Sequence, residues 1–233
     1  MVTAEGIVYW TSHHHEYFLI ASNNLALATA LQKEIDQRDD VLAGVDAVVA
    51  EYTGRPDARD NDIRMIQTPQ IIQLLEKQAL YITEAVVFSA LCAEAFINYY
   101  VTRKKSAGFL EHYLDKLTPE QKWYLVPPLL NNGRSLEPGK EPLQGLNRLV
   151  MARNRVVHAK PSSQKASGLL NLTEGRFGGP SLEEARKGVA TVRALVKGLA
   201  TIDPVVDTAW LDNTRPEVLF LNLERNGKWA AGL

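Results

Sequence analysis

The residues best equipped for chemistry are gathered in one stretch, Leu149-Val150-Met151-Ala152-Arg153-Asn154-Arg155-Val156-Val157-His158-Ala159-Lys160. Leu146, Leu149, Val150, Val156 and Val157 supply the apolar stripe of a helix, and Arg153, Asn154 and His158 interrupt it. A guanidinium grips a phosphate through two parallel hydrogen bonds. An imidazole can take or give a proton near neutral pH, and a carboxamide can orient either group. Asn154 and His158 are four residues apart and share a helix face. Arg153 and His158 are five apart, roughly 140° around the axis. They reach one substrate only if the helix ends near His158, or if a second copy of the chain completes the site. Lys160-Pro161-Ser162-Ser163 favours the first condition, because a proline just beyond a helical run marks its end.

A second helix must hold this one. From Ile71 to about Lys105 the chain is apolar on nearly every face after Ala79, the pattern of a central helix buried on several sides. Glu94 lies within it, and a carboxylate is costly to bury unless paired. The expected partner is Arg153 or another base on the motif helix, and such a carboxylate would also orient the catalytic arginine or histidine.

The order Arg153-Asn154-x-x-x-His158 resembles the Arg-x4–6-His signature of the HEPN family, in which a polar residue, often Asn, follows the Arg. These are small helical-bundle proteins, many of them ribonucleases of toxin–antitoxin and antiviral systems. Ser89-Ala90-Leu91-Cys92-Ala93-Glu94-Ala95-Phe96-Ile97-Asn98 looks like the long apolar HEPN helix carrying an acidic residue and then an aromatic. The resemblance covers roughly Pro69 to Ala200. It implies a metal-independent endoribonuclease with Arg153, Asn154, His158 and Glu94 as catalytic residues and no cofactor. It further implies a homodimer whose two motifs face each other, with Arg148, Arg155 and Lys160 guiding the RNA backbone and a cognate antitoxin as a partner. RNA carries its own nucleophile, the 2′-OH, so cleavage needs a base there, an acid at the leaving 5′ oxygen and positive charge on the phosphorane. The competing expectation is a non-catalytic HEPN-like module that binds nucleotide or RNA or serves as a scaffold, with Arg153 paired to Glu94 and His158 merely capping its helix.

Charge distribution bears on the substrate. Residues 1–100 hold 6 Lys/Arg against 14 Asp/Glu, residues 101–200 hold 17 against 8, and residues 201–233 hold 3 against 5. The basic middle suits an anionic substrate such as RNA; alternatively, the acidic and basic segments neutralise each other by packing. The 45% hydrophobic and 23% charged composition is that of a globular chain rather than a disordered one. The most apolar stretch, Ala79 to Val101, is broken by Glu84, Glu94 and Asn98, so no membrane span is expected. The first residues lack a basic segment followed by an apolar core, so no secretory leader is expected. The single cysteine, Cys92, cannot form an internal disulfide, which suits a reducing cytoplasm. No phosphate-cradling glycine fingerprint occurs.

The elements predict a mainly α-helical chain: an N-terminal extension over 1–65, a bundle of four to five helices over 66–202 and a tail over 203–233. Glu5–Trp10 and Tyr17–Ile20 read as short strands, and Val218–Leu221 as a third that could join them. His13-His14-His15-Glu16 sits between the first two as a polar turn, where adjacent imidazoles point apart and a metal site is a minor reading. Ser22, Asn23 or Asn24 would cap an acidic helix to about Tyr52, and Thr53–Asp62 would break it. Thr68-Pro69 would start the central helix, Thr118-Pro119 a short one, Pro142 the motif helix and Ser181 the last, while Pro127-Pro128 would stop the pattern and Asp203-Pro204 end it. The Ser/Gly/Lys-rich segment from Ala159 to Gly179 reads as a loop beside the site.

Overall fold

The computed structural model describes residues 13–52, 58–158 and 179–212, with side chains for 13–38, 73–158 and 179–212. Among the described residues the chain is mainly α-helical, with six α-helices and no strand. They are α1 (His14–Tyr52), α2 (Ala58–Lys104), α3 (Ala107–Phe109), α4 (Pro119–Leu130), α5 (Leu143–Val157) and α6 (Leu182–Ile202), with a π-helical turn over Leu110–Leu114 and a 3-10 turn over Ala209–Asp212.

The hub is α2. Ala85, Val86, Cys92, Ala93, Phe96, Ile97 and Val101 are buried on several of its faces, and it packs against α1, α4, α5 and α6. The segment Gln73–Lys104 is long and apolar enough by composition to cross a membrane, yet half of its most apolar window is buried within the bundle. Its apolar character is therefore largely spent on neighbouring helices. Helix α1 runs antiparallel to it, registered by Asn24 Nδ2 donating to Glu84 Oε2 at 2.9 Å and Gln78 Nε2 donating to the Ala28 carbonyl at 3.2 Å.

Several boundaries differ from the sequence reading. Tyr17–Ile20 is helix, not strand: Phe18, Ala21, Ala28 and Ile35 are buried at helical spacing, a period that the four-residue apolar run taken alone could not reveal. Ser22–Asn24 therefore lies inside α1, and Asn24 bonds across to α2 rather than capping. Thr68-Pro69 and the boundary expected at residues 65 and 66 both fall within α2. Pro127 and Pro128 lie inside α4, near its end, where Asn131 Nδ2 takes up the Pro127 carbonyl at 2.8 Å and the Gly133 amide takes up the Pro128 carbonyl at 2.9 Å. The expected strands at Glu5–Trp10 and Val218–Leu221 lie outside the described residues, as do residues 53–57 of the break expected over Thr53–Asp62. The rest of that break, Ala58–Asp62, is instead the start of α2, because it contains no glycine or proline to stop a helix.

The remaining helix signals hold. Thr118 and Gln121 form a capping box at the start of α4, and Ser181 and Glu184 form another at α6. Helix α5 follows Pro142, with the Glu141 carboxylate accepting the Gly145 amide at 3.0 Å in place of a side-chain N-cap. Leu143, Leu146, Leu149 and Val150 bury one side of α5, while Arg148, Met151 and Arg155 face solvent.

Helices α2, α5 and α6 meet closely at Gly188, where an added Cβ would sit 3.0 Å from Leu149 Cδ1 and 3.6 Å from the Ser89 side chain. Gly188→Val would force two further methyl groups into that contact. The expected loss is about 1–3 kcal/mol, measured as a lower urea midpoint; a midpoint equal to the parent's would show that the junction can open without cost.

Candidate functional site

Helix α5 ends where the motif needs it to end. His158 is its C-cap, with non-helical φ −111° and ψ 28°, and its amide donates to the Asn154 carbonyl at 2.9 Å. Leaving the helical path at this point lets Arg153 and His158 line the same cavity despite their angular separation along the helix. That cavity holds about 400 Å³ and opens to solvent. Arg153, Asn154 and His158 form one wall from α5, Glu94 with Ala90 and Leu91 a second from α2, and Thr118, Pro119 and Glu120 a third from the start of α4.

Within it, Arg153 Nη1 donates to Asn154 Oδ1 at 2.9 Å. Arg153 has no acidic partner among the described residues, and the expected Glu94–Arg153 ion pair does not form; Glu94 lines the cavity from the opposite wall instead. The reason is depth. Glu94 is only partly buried, so water can serve its carboxylate and no pairing is demanded. His158 is exposed and Arg153 half-buried, which leaves both available to a ligand.

The other expected substrate contacts lie elsewhere. Arg148 pairs with Glu141 and Arg155 with Glu184, on the side of α5 that faces α6, where they line a separate cleft of about 210 Å³. Burial alone would raise Glu184, but the Ser181 amide and Arg155 hold it below the usual carboxylate range. Lys160 lies outside the described residues, as does the loop after it as far as residue 178.

Sequence reasoning missed Glu120. Its position just after Thr118-Pro119 reads as an acid complementing a helix N-terminus. Yet it lines the cavity opposite His158's helix, and its buried Oε2 accepts no hydrogen bond among the described residues. No sequence signal separates such a residue from an ordinary first-turn acid.

Of the three imidazoles at the start of α1, His14 and His15 meet edge to face at 4.1 Å and both pack on Trp210, while His13 turns away to Glu16. His13 Nδ1 contacts the Glu16 carboxylate, His15 stacks on Trp210 (4.8 Å, 21°), and His14 is buried against Phe96, Tyr99 and Trp210. Among the described residues no three His, Cys, Asp or Glu side chains converge as a metal site. His14, His15 and Trp210 instead border a second cavity of about 290 Å³, with Arg103 and Lys104 of α2 and with Asp203 and Asp207. Lys104 Nζ and the Tyr100 hydroxyl both bond Asp203 Oδ2, at 2.6 and 2.7 Å, tying the end of α2 to the end of α6.

Burial, and secondarily the neighbouring His15, push the His14 imidazole down to about 3, against an opposing pull from Asp207. In the unfolded chain it titrates near its ordinary value of about 6.5. Between these values the unfolded state binds the extra proton, so stability falls as pH drops below about 6.5, by about 1.4 kcal/mol per pH unit until the folded-state value is reached. His14→Phe keeps an apolar ring and is expected to flatten the dependence of unfolding free energy on pH between 6.5 and 4.5. An unchanged slope would mean that His14 is not the group responsible.

Comparisons with profiles of known protein families, with curated proteins and with solved structures find no match to this chain.

Proposed function

We propose that this protein is a metal-independent endoribonuclease of the HEPN type, cleaving RNA through attack of the 2′-OH on the adjacent phosphate. The observation that carries this reading is the shared cavity: Arg153, Asn154 and His158 open onto one solvent-accessible space, and among the described residues no carboxylate neutralises Arg153. In a scaffold these residues would be buried or paired off. Arg153 binds the scissile phosphate and stabilises the charge that builds on its equatorial oxygens. Asn154 fixes the guanidinium, and His158 transfers a proton at the reacting centre. The cavity lies near the lower end of the roughly 300–1,000 Å³ range of small-molecule sites. That suits one splayed nucleotide of single-stranded or looped RNA better than a duplex.

A homodimer is part of the proposal. Met151 and Val157 are exposed on the motif helix and Leu125 and Leu129 on the adjoining α4, the kind of apolar area a second copy would cover. Such a dimer would bring two motifs together, as the family resemblance implies.

The reading is tested by incubating the protein and its His158→Ala variant with single-stranded RNA in EDTA and determining the new termini. Cleavage by the parent alone, leaving 2′,3′-cyclic phosphates and 5′-hydroxyls, is the expected result. Absence of cleavage by a folded, dimeric parent would favour a binding module instead.

A further inference from the structure

We propose that the cavity between the start of α1, the end of α2 and the 3-10 turn binds a free aromatic amino acid. Its ring lies on the histidine–tryptophan wall, its carboxylate on Arg103 and its ammonium on Asp207. This cavity shares no lining residue with the Arg153–His158 cavity, and the proposal is independent of the ribonuclease reading.

One wall is a continuous run of rings. His14 meets His15 edge to face at 4.1 Å, His15 stacks on Trp210 at 4.8 Å and 21°, and Tyr99 lies 4.9 Å from His14. His14 and Trp210 are buried, whereas His15 is exposed and Tyr99 half-buried, so ring surface remains open to a ligand. Burial holds both imidazoles below their ordinary value of 6.5, and at neutral pH the wall is uncharged. It suits a neutral ring, taken by stacking or edge-to-face contact, and gives an anion nothing to hold.

Four charged side chains complete the lining, and two of them satisfy each other. Lys104 Nζ lies 2.6 Å from Asp203 Oδ2, which also accepts the Tyr100 hydroxyl at 2.7 Å, while Asp203 Oδ1 accepts the Val205 amide at 3.3 Å. Arg103 follows Tyr99 by one helical turn and so borders the ring wall from the same face of α2. It is exposed and has no acidic partner among the described residues. Asp207 is exposed too; its Oδ1 accepts the Ala209 amide at 2.9 Å, and no lysine or arginine pairs with it among the described residues. One positive and one negative group are thus left uncompensated beside the rings.

That charge count selects the ligand. A mononucleotide, with nearly two negative charges on its phosphate, would meet one free guanidinium and two carboxylates. An aromatic acid without an amine would leave Asp207 unanswered. A free amino acid carries one charge of each sign on the same carbon, and an aromatic one adds the ring. Arg103 takes the carboxylate in a two-pronged contact, and Asp207 accepts from the ammonium. A volume of about 290 Å³ lies at the lower end of the range for small-molecule sites, which fits a single amino acid rather than a peptide.

The test is isothermal titration calorimetry of the full chain with L-phenylalanine, L-tyrosine and L-tryptophan. Each is compared with its analogue lacking the carboxylate (phenethylamine for phenylalanine), its analogue lacking the ammonium (phenylpropionate) and L-alanine, which lacks the ring. At least one of the three amino acids should bind one-to-one at millimolar concentration. Its two analogues should bind about tenfold or more weakly, the worth of a charge-assisted hydrogen bond, and L-alanine should give no measurable heat. Arg103→Gln should erase the advantage over the amine. Asp207→Asn, which keeps an acceptor for the Ala209 amide, should erase the advantage over the acid. Arg153→Ala, in the other cavity, should bind as the parent does. The absence of heat from all three amino acids would overturn the proposal, as would an affinity that neither Arg103→Gln nor Asp207→Asn changes. Arg103-dependent binding of AMP in preference to the amino acids would make this a phosphate site and overturn it equally. The ribonuclease reading is untouched by any of these outcomes, since it rests on RNA cleavage.

Discussion

Replacing Arg153 with alanine is expected to lower kcat/KM for RNA cleavage by about 10²–10³-fold, the loss typical of removing one preorganised donor to developing charge, while leaving the fold intact. The two halves of that expectation have separate causes. Arg153 is half-buried, and its one polar contact among the described residues is to Asn154 Oδ1. Its removal therefore orphans no buried carboxylate, and stability should change by no more than about 0.5 kcal/mol, as for an ordinary surface substitution. In the proposed mechanism the guanidinium acts on the phosphorane, whose charge exceeds that of the bound phosphate, so the loss should fall on kcat more than on KM. Arg153→Lys restores the charge without the planar fork and should recover only part of the rate. Kinetics and urea denaturation on the same preparations separate the two effects. A large loss of stability with unchanged turnover would make Arg153 a structural residue.

Trp123→Ala should be the most destabilising single change in the bundle, at about 3–5 kcal/mol. Trp123 is 1% exposed, its indole N–H donates to the Ala93 carbonyl at 3.0 Å, and its ring stacks on Phe96 at 6.0 Å and 13°. It anchors α4 on α2. Deleting it leaves a large void, and a domain whose total stability is about 5–15 kcal/mol loses a substantial share. There is a second consequence. Glu120 lies one turn before Trp123 on α4, and Glu94 follows Ala93 on α2, so loosening this contact shifts one wall of the cavity against another. Trp123→Phe keeps most of the packing and should lose less than half as much. A urea midpoint for Trp123→Ala within error of the parent's would contradict this picture of the core.

How much of this could be read from the chain follows from the range of each signal. The cavity wall on α5 was legible because it depends on one helix and its end: the stripe from Leu146 to Val157, the polar break at Arg153-Asn154 and the proline after Lys160 are all local. The caps at Thr118 and Ser181 were legible for the same reason. The identity of α2 as hub came from its apolar faces. What failed depended on tertiary context. Tyr17–Ile20 is too short for its own periodicity to decide between strand and helix, and α2 provides the surface that makes it helical. Thr68-Pro69 has the chemistry of a helix start, yet α2 extends to either side of it. Glu94 was expected to need an ion pair, but an opening to solvent beside it removes the need. Arg148 and Arg155 looked like backbone guides because they neighbour the motif in sequence; the helical turn directs them to Glu141 and Glu184. Glu120 reaches the site only because α4 folds back against α2 and α5, and no spacing along the chain encodes that.

The most direct test of the ribonuclease assignment is a pair of RNA oligonucleotides, identical except that one carries a single 2′-deoxy sugar at the preferred cleavage position. The all-ribose strand should be cut there in EDTA, leaving a 2′,3′-cyclic phosphate, and the substituted strand should remain intact at that linkage. Equal cutting of both strands would show that the 2′-OH is not the nucleophile and would remove the chemistry assigned here to Arg153 and His158.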